Sequence, residues 1–152
     1  MPMPTKRSSA PEAPVALFFR YNRPGLFWAA IILVLSSIAP PPLRIPDFFD
    51  LFSPDKVAHF FFYAVLTVLF VVGFMKMSPS TAIGKSPLLH AFWISCVYGG
   101  LIELHQGYIL SHRTADPADF VANCIGAVIG LVVVKTKSHE IIMRLFRFRK
   151  KG

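Results

Sequence analysis

VAHFFFYAVLTVLFVVGFM, residues 57–75, contains one histidine and no formal charge. About 20 apolar helical residues cross a hydrocarbon core, so this run reads as a transmembrane helix. Pro54 and Asp55 supply its start, and Lys76 with Ser78-Pro79-Ser80 its end. Working outward, Leu26–Ala39 is a shorter apolar run that stops at Pro40-Pro41-Pro42, which no helix can continue through. It reaches span length only by recruiting residues 21–25 or by thinning the bilayer. A third run follows Pro87 to about Leu110, interrupted by Glu103, His105 and Gln106, and a fourth follows Pro117 to Val134, closed by Lys135 and Lys137.

The whole chain agrees with that reading. Of its 152 residues 54% are apolar and 16% charged, with mean hydropathy +0.54, whereas soluble domains carry about 25% charge. The expected fold is an all-α membrane protein, a compact bundle of four transmembrane helices over about 22–39, 57–75, 88–110 and 118–134. Residues 1–20 read as a basic disordered tail, 21–134 as the membrane domain and 135–152 as a basic amphipathic tail. A leader peptide cut after Ser37-Ile38-Ala39 is the competing reading of the first run. Pro40 after the cut and the distance to the basic residues argue against it.

The basic excess, 16 Lys and Arg against 8 Asp and Glu, sits at the ends of apolar segments, so it marks orientation and no nucleic-acid partner is expected. Thirteen Lys and Arg fall on one side of the four spans and three, Arg44, Lys56 and Arg113, on the other. Both termini are therefore expected in the cytoplasm. In the last tail, Ile141, Ile142, Leu145 and Phe146 share a helical face, with arginines around it, suited to anionic headgroups. Phe48, Phe49, Leu51 and Phe52 in the first loop read as interfacial anchors.

In this orientation the polar residues converge on the outer half. Asp55, Lys56 and His59 open the second helix, Glu103 and Gln106 close the third, and Arg113, Asp119 and Asn123 belong to the last loop and the start of the fourth. At 1.5 Å per residue, Glu103 and Asn123 both lie about 8 to 10 Å below the outer boundary. Asp55 with His59, Glu103 with Gln106, and Asp119 with Asn123 each share a helix face. An intramembrane carboxylate needs a partner, and for Glu103 the candidates are Lys56, His59 and Arg113. Asp119 is placed to cap its helix. His90, His105 and His112 read as surface or interface residues. Ala122, Gly126 and Gly130 form a small-residue stripe for helix packing, with Gly99 and Gly100 facing it from the third helix.

Cys96 and Cys124 lie within apolar runs and are expected as free, buried thiols. No metal-ligand spacing occurs, and no metal or cofactor is expected. The chain lacks HExxH, G-x-S-x-G and a magnesium-type carboxylate cluster, so no catalytic residue is assigned, and His59 and Glu103 are the candidates should there be one.

Asp55-Lys56-x-x-His59-Phe60-x-x-Tyr63, then Gly99-x-x-x-Glu103-x-x-Gln106, then Arg113 followed by Asp119-x-x-x-Asn123-x-x-Gly126-x-x-x-Gly130, resembles the VanZ-like family of small polytopic bacterial membrane proteins. The resemblance implies that Asp55, Lys56, His59, Tyr63, Glu103, Gln106, Arg113, Asp119, Asn123 and Gly126 are motif positions. It assigns nothing to His105 or Asp116. The family's founding member is associated with resistance to the glycopeptide antibiotic teicoplanin, so the resemblance implies a multi-pass protein of the bacterial cytoplasmic membrane with an envelope role, and names no reaction.

Three functions follow as expectations. In the first, the outer pocket binds an anionic lipid or lipid-linked wall-precursor headgroup, or alters glycopeptide sensitivity, with Lys56 and Arg113 holding the anion. In the second, His59 and Glu103 act as acid and base on a lipid-borne ester or phosphoanhydride. In the third, the cluster only specifies helix packing.

Overall fold

Apolar residues recurring at helical spacing, punctuated by Pro at helix starts, give helices across the described residues. The computed structural model describes residues 13–38, 53–77, 81–110 and 116–137, and among these there is no strand. The elements are α1 (Pro14–Tyr21), α2 (Arg23–Ile38), α3 (Pro54–Met75), α4 (Ala82–Lys85), α5 (Pro87–Ile109) and α6 (Pro117–Lys137). Three of them, α3, α5 and α6, are long and apolar enough to cross a membrane, and α1 with α2 make a fourth span if the bent pair counts as one.

Each long helix begins where its sequence says it should. Pro54, Pro87 and Pro117 take first-turn positions, where the missing N–H costs nothing. Ser53 caps α3 by accepting from the Lys56 N–H. The expected second, third and fourth helices are therefore present, with ends shifted by a few residues.

The first expected helix differs. Tyr21 closes α1, in the stretch read as a basic tail, and α2 starts afresh at Arg23 with a bend of 65° between them. The cause is Pro24, whose ring would strike the carbonyl of Arg20 in a continuous helix. Asn22 fills the break, its backbone N–H and its side-chain Nδ2 both donating to Phe18 O at 3.0 Å. With 16 residues, α2 alone covers about 24 Å at 1.5 Å per residue, short of a full crossing. The short α4 was also not foreseen. It is capped by Thr81 Oγ1, which accepts from Gly84 N at 3.0 Å.

The central element is α3. It buries Lys56, His59, Tyr63 and Thr67 against α5 and α6 and Phe70 beside Gly25 of α2, while Leu66, Val71, Val72 and Phe74 complete the core. Its longest interface is with α6. A Cβ on Gly126 would overlap the Phe60 carbonyl oxygen, and one on Gly130 would stand 2.6 Å from Ala64 O. The small-residue stripe thus lets two backbones touch, with half-buried Ala122 beside it. Gly99 does the same for α5, since its Cβ would meet Asn123 Cβ at 3.1 Å and Tyr63 Cε1 at 3.3 Å.

Polar bonds tie the helices across the apolar interior. Tyr98 Oη donates to Ala29 O at 2.6 Å, Trp28 Nε1 to Phe62 O at 3.0 Å, and Thr67 Oγ1 to Ser95 Oγ at 2.8 Å. Interhelical bonds of this type contribute about 0.6 kcal/mol each in membrane bundles. Outward, Trp93, Val97, Leu101 and Leu104 line one face of α5, each more than half exposed. Such a stripe is untenable in water and suits lipid. Cys96 is buried and Cys124 only half-buried, both as free thiols.

Candidate functional site

The start of α3, the end of α5 and the start of α6 meet at one end of the bundle. Helical periodicity then decides which side chains converge. Lys56, His59 and Tyr63 lie on the buried face of α3, Glu103 and Gln106 on that of α5, and Asp119 and Asn123 on that of α6. All seven are at most 7% exposed.

His59 is the hub. Its Nδ1 lies 3.0 Å from Asn123 Oδ1 and 3.7 Å from Glu103 Oε1, and its Nε2 lies 3.9 Å from Asp55 Oδ1 one turn earlier on α3. Asn123 Nδ2 donates to Glu103 Oε1 at 3.5 Å, and Asp116 N donates to Glu103 Oε2 at 3.4 Å. A carboxylate only accepts, so the Asn123 amide nitrogen faces Glu103 and its oxygen faces the imidazole. Both Glu103 oxygens are thereby engaged, and the buried carboxylate is held by hydrogen bonds as well as by the imidazole.

Lys56, a candidate partner for Glu103, lies instead beside two aspartates. Its Nζ lies 3.4 Å from Asp116 Oδ2 and 3.8 Å from Asp119 Oδ1. Of the three candidates for Glu103, the structure brings up His59. Arg113 lies outside the described residues, as do His112, the first-loop aromatics and the amphipathic tail.

Asp116, which carried no expected role, serves three. Its Oδ1 accepts from Ala118 N at 2.8 Å, capping α6 in the place expected of Asp119, while Oδ2 faces Lys56 and its N–H faces Glu103. The signal was present as Asp116-Pro117, an N-cap residue followed by proline at the first helical position. Freed from capping, Asp119 turns inward. Its Oδ1 is buried and accepts no hydrogen bond among the described residues.

Gln106 shares a face with Glu103 but reaches another helix, donating through Nε2 to Ser36 O of α2 at 3.2 Å. His105, half-buried, meets Ser37 Oγ at 3.1 Å, and His90 bonds within its own helix to Ser86 O. Between α2 and α3 a cleft of about 90 Å³ opens onto the cluster. Its walls are apolar at Ile32, Leu35 and Phe62 and polar at Asp55, His59 and Gln106. Tyr63, wholly buried, also lines it, and its hydroxyl has no hydrogen-bond partner among the described residues.

Compared with known families, the chain is matched by the VanZ/LLP1 family model over residues 25–142. The chain belongs to the VanZ/LLP1 family. No curated protein and no solved structure matches it. For this VanZ-family chain the match runs from Gly25 in α2 through α6, hence over every residue of the cluster, and α1 precedes it. With its apolar spans, the protein is a multi-pass membrane protein of that family.

Chemically, the described groups can hold polar matter at the edge of an apolar bundle. Four carboxylates, Asp55, Glu103, Asp116 and Asp119, surround one lysine and one imidazole. Asp55, His59 and Asp119 are the residues that could hold a metal ion, each offering one donor atom within 4.8 Å of the others.

Proposed function

We propose that this VanZ-family protein holds the headgroup of a phosphate-bearing amphiphile at the outer face of the bacterial cytoplasmic membrane. The observation that carries the reading is the cleft between α2 and α3, apolar at Ile32, Leu35 and Phe62 and polar at Asp55, His59 and Gln106. That gradient matches a molecule with an acyl chain and a polar head. The outer location rests on the count of basic residues, thirteen to three.

Lys56 alone would contact an anion poorly, because Asp116 and Asp119 already neutralise it. A headgroup that combines a phosphate with hydroxyl or amine donors fits better. Its donors meet the acceptor-rich carboxylates while its phosphate faces Lys56. Anionic glycerolipids and lipid-linked wall precursors are both of this class, and altered glycopeptide sensitivity is the cellular outcome expected of a protein that binds them.

The test is binding of such lipids to purified protein in detergent, with phosphatidylglycerol as the probe and phosphatidylcholine as the control. Lys56→Ala should lose the preference for phosphatidylglycerol, and equal binding by wild type and variant would sink the reading.

A second reading has its own observation. His59 lines the cleft and is held through Nδ1 by Asn123 and Glu103, as an oriented general base is held. His59→Gln separates the two. Retained lipid binding with lost cellular function favours catalysis, and full function in that variant removes it.

A further inference from the structure

Asp55 and His59 share one face of α3, and Asp119 arrives from α6, so a donor set forms that neither helix carries by itself. The three donor atoms lie within 4.8 Å of one another. Two observations point to a cation between them. Asp119 Oδ1 is buried in a side chain 7% exposed and accepts no hydrogen bond among the described residues. Its positive neighbour, Lys56 Nζ, stands at 3.8 Å, well beyond the about 2.7–2.9 Å of a charge-assisted hydrogen bond. The other observation is the imidazole. Asn123 Oδ1 faces Nδ1 at 3.0 Å, while the opposite ring nitrogen, Nε2, faces the Asp55 carboxylate at 3.9 Å. That separation is beyond hydrogen-bond reach and leaves room for an ion between the two groups.

We propose that Asp55, His59 and Asp119 bind a divalent first-row metal ion, with Asn123 and Glu103 orienting His59 from behind. An imidazole that donates its far N–H to an oxygen while aiming the other nitrogen inward is how metal-ligating histidines are held. Two carboxylates and one imidazole suit Mn²⁺ among divalent ions, as a mixed oxygen and nitrogen set. Three protein ligands leave positions open for water or a ligand oxygen.

The geometry requires little change. Cis donors on an octahedral ion, the geometry that suits Mn²⁺, with bonds of about 2.2 Å are about 3.1 Å apart, so the 3.9 Å between Nε2 and Asp55 Oδ1 and the separations of up to 4.8 Å within the set close by side-chain rotation. Lys56 then leaves Asp119 for Asp116, already its nearer partner at 3.4 Å. This inference goes beyond the headgroup reading and stands whether or not an amphiphile binds.

Tag-free full-length protein in detergent, stripped with EDTA, is titrated with Mn²⁺. The expected result is one ion per chain by elemental analysis and a rise in unfolding temperature that EDTA reverses. Asn123→Ala weakens binding by about 10- to 100-fold, the effect of removing an outer-shell partner, and His59→Gln and Asp119→Asn weaken it at least as much. Lys56→Met, which removes the competing charge, tightens it. Pulsed electron paramagnetic resonance of the Mn²⁺-loaded wild type shows coupling to one imidazole nitrogen.

Uptake below one ion per chain, uptake that His59→Gln and Asp119→Asn leave unchanged, or bound Mn²⁺ without nitrogen coupling overturns the proposal. The resonance measurement needs only wild type, so it decides even where the variants do not fold. Failure of metal uptake leaves the phosphatidylglycerol assay unaffected, and the reverse holds.

Discussion

Gly126→Ala tests whether backbone contact between α3 and α6 assembles the site. The new Cβ would stand 3.0 Å from Phe60 C and 3.1 Å from Phe60 Cα, and would overlap the Phe60 carbonyl oxygen. Carbon atoms settle at about 3.5–4.0 Å, so the helices must part locally by about half to one ångström. The obstacle is backbone, which cannot rotate aside. Overpacking of this kind costs about 1–3 kcal/mol, larger than the about 1 kcal/mol that alanine gains over glycine within a helix. The separation also reaches the cluster, because Asn123 is one turn from Gly126 and His59 adjoins Phe60. Their 3.0 Å contact would stretch past the about 3.2 Å limit of a good N–H···O bond. Gly100→Ala is the control, since its Cβ meets Phe120 Cε2 at an ordinary 3.5 Å and should be neutral or stabilising. Thermal unfolding of both variants in one detergent measures the difference. A Gly126→Ala protein as stable as wild type, or a Gly100→Ala protein less stable than it, would refute the packing argument.

Three further outcomes are expected. Asp116→Ala loses the α6 cap and lowers stability by about 0.5–2 kcal/mol, while Asp116→Asn keeps the cap and loses only the half-exposed Lys56 pair, about 0–1 kcal/mol; equal losses in thermal unfolding would deny the capping role. Glu103→Gln turns one of its two accepted bonds into a meeting of donors and costs about 1–3 kcal/mol. When variant and wild type are matched for membrane abundance in a deletion strain, the variant should still fail to restore antibiotic sensitivity, and full restoration would reduce the cluster to packing. Reporter fusions at each end of the chain should be active only as cytoplasmic fusions, and an exported C-terminus would overturn the orientation and with it the outer site.

The helices were legible because their causes are local. Runs of apolar residues, proline at the first helical position and Ser or Asp before it act within one or two turns. The break at Asn22 had the same kind of cause in Pro24, yet the apolar run masked it. The common end of the polar groups was also legible, since span order puts the starts of α3 and α6 beside the end of α5. His59, Glu103 and Asn123 meet there as their depths imply.

Pairing was another matter. Lys56 and His59 were both candidates for Glu103, and which one reaches it depends on the rotation of α3 against α5 and α6, set by contacts such as Gly126 on Phe60. The same rotation gives Lys56 to Asp116 and Asp119 and separates Gln106 from Glu103 by sending it to Ser36 of α2. The sequence by itself determined the membrane helices, their order and the end at which charge collects, because hydrophobicity and helix-start chemistry are read along one strand of chain. Only the tertiary structure decided that Asp55, His59 and Asp119 form one donor set, because ligands from two helices have no sequence spacing, and the close approach of their backbones alone brings them within reach.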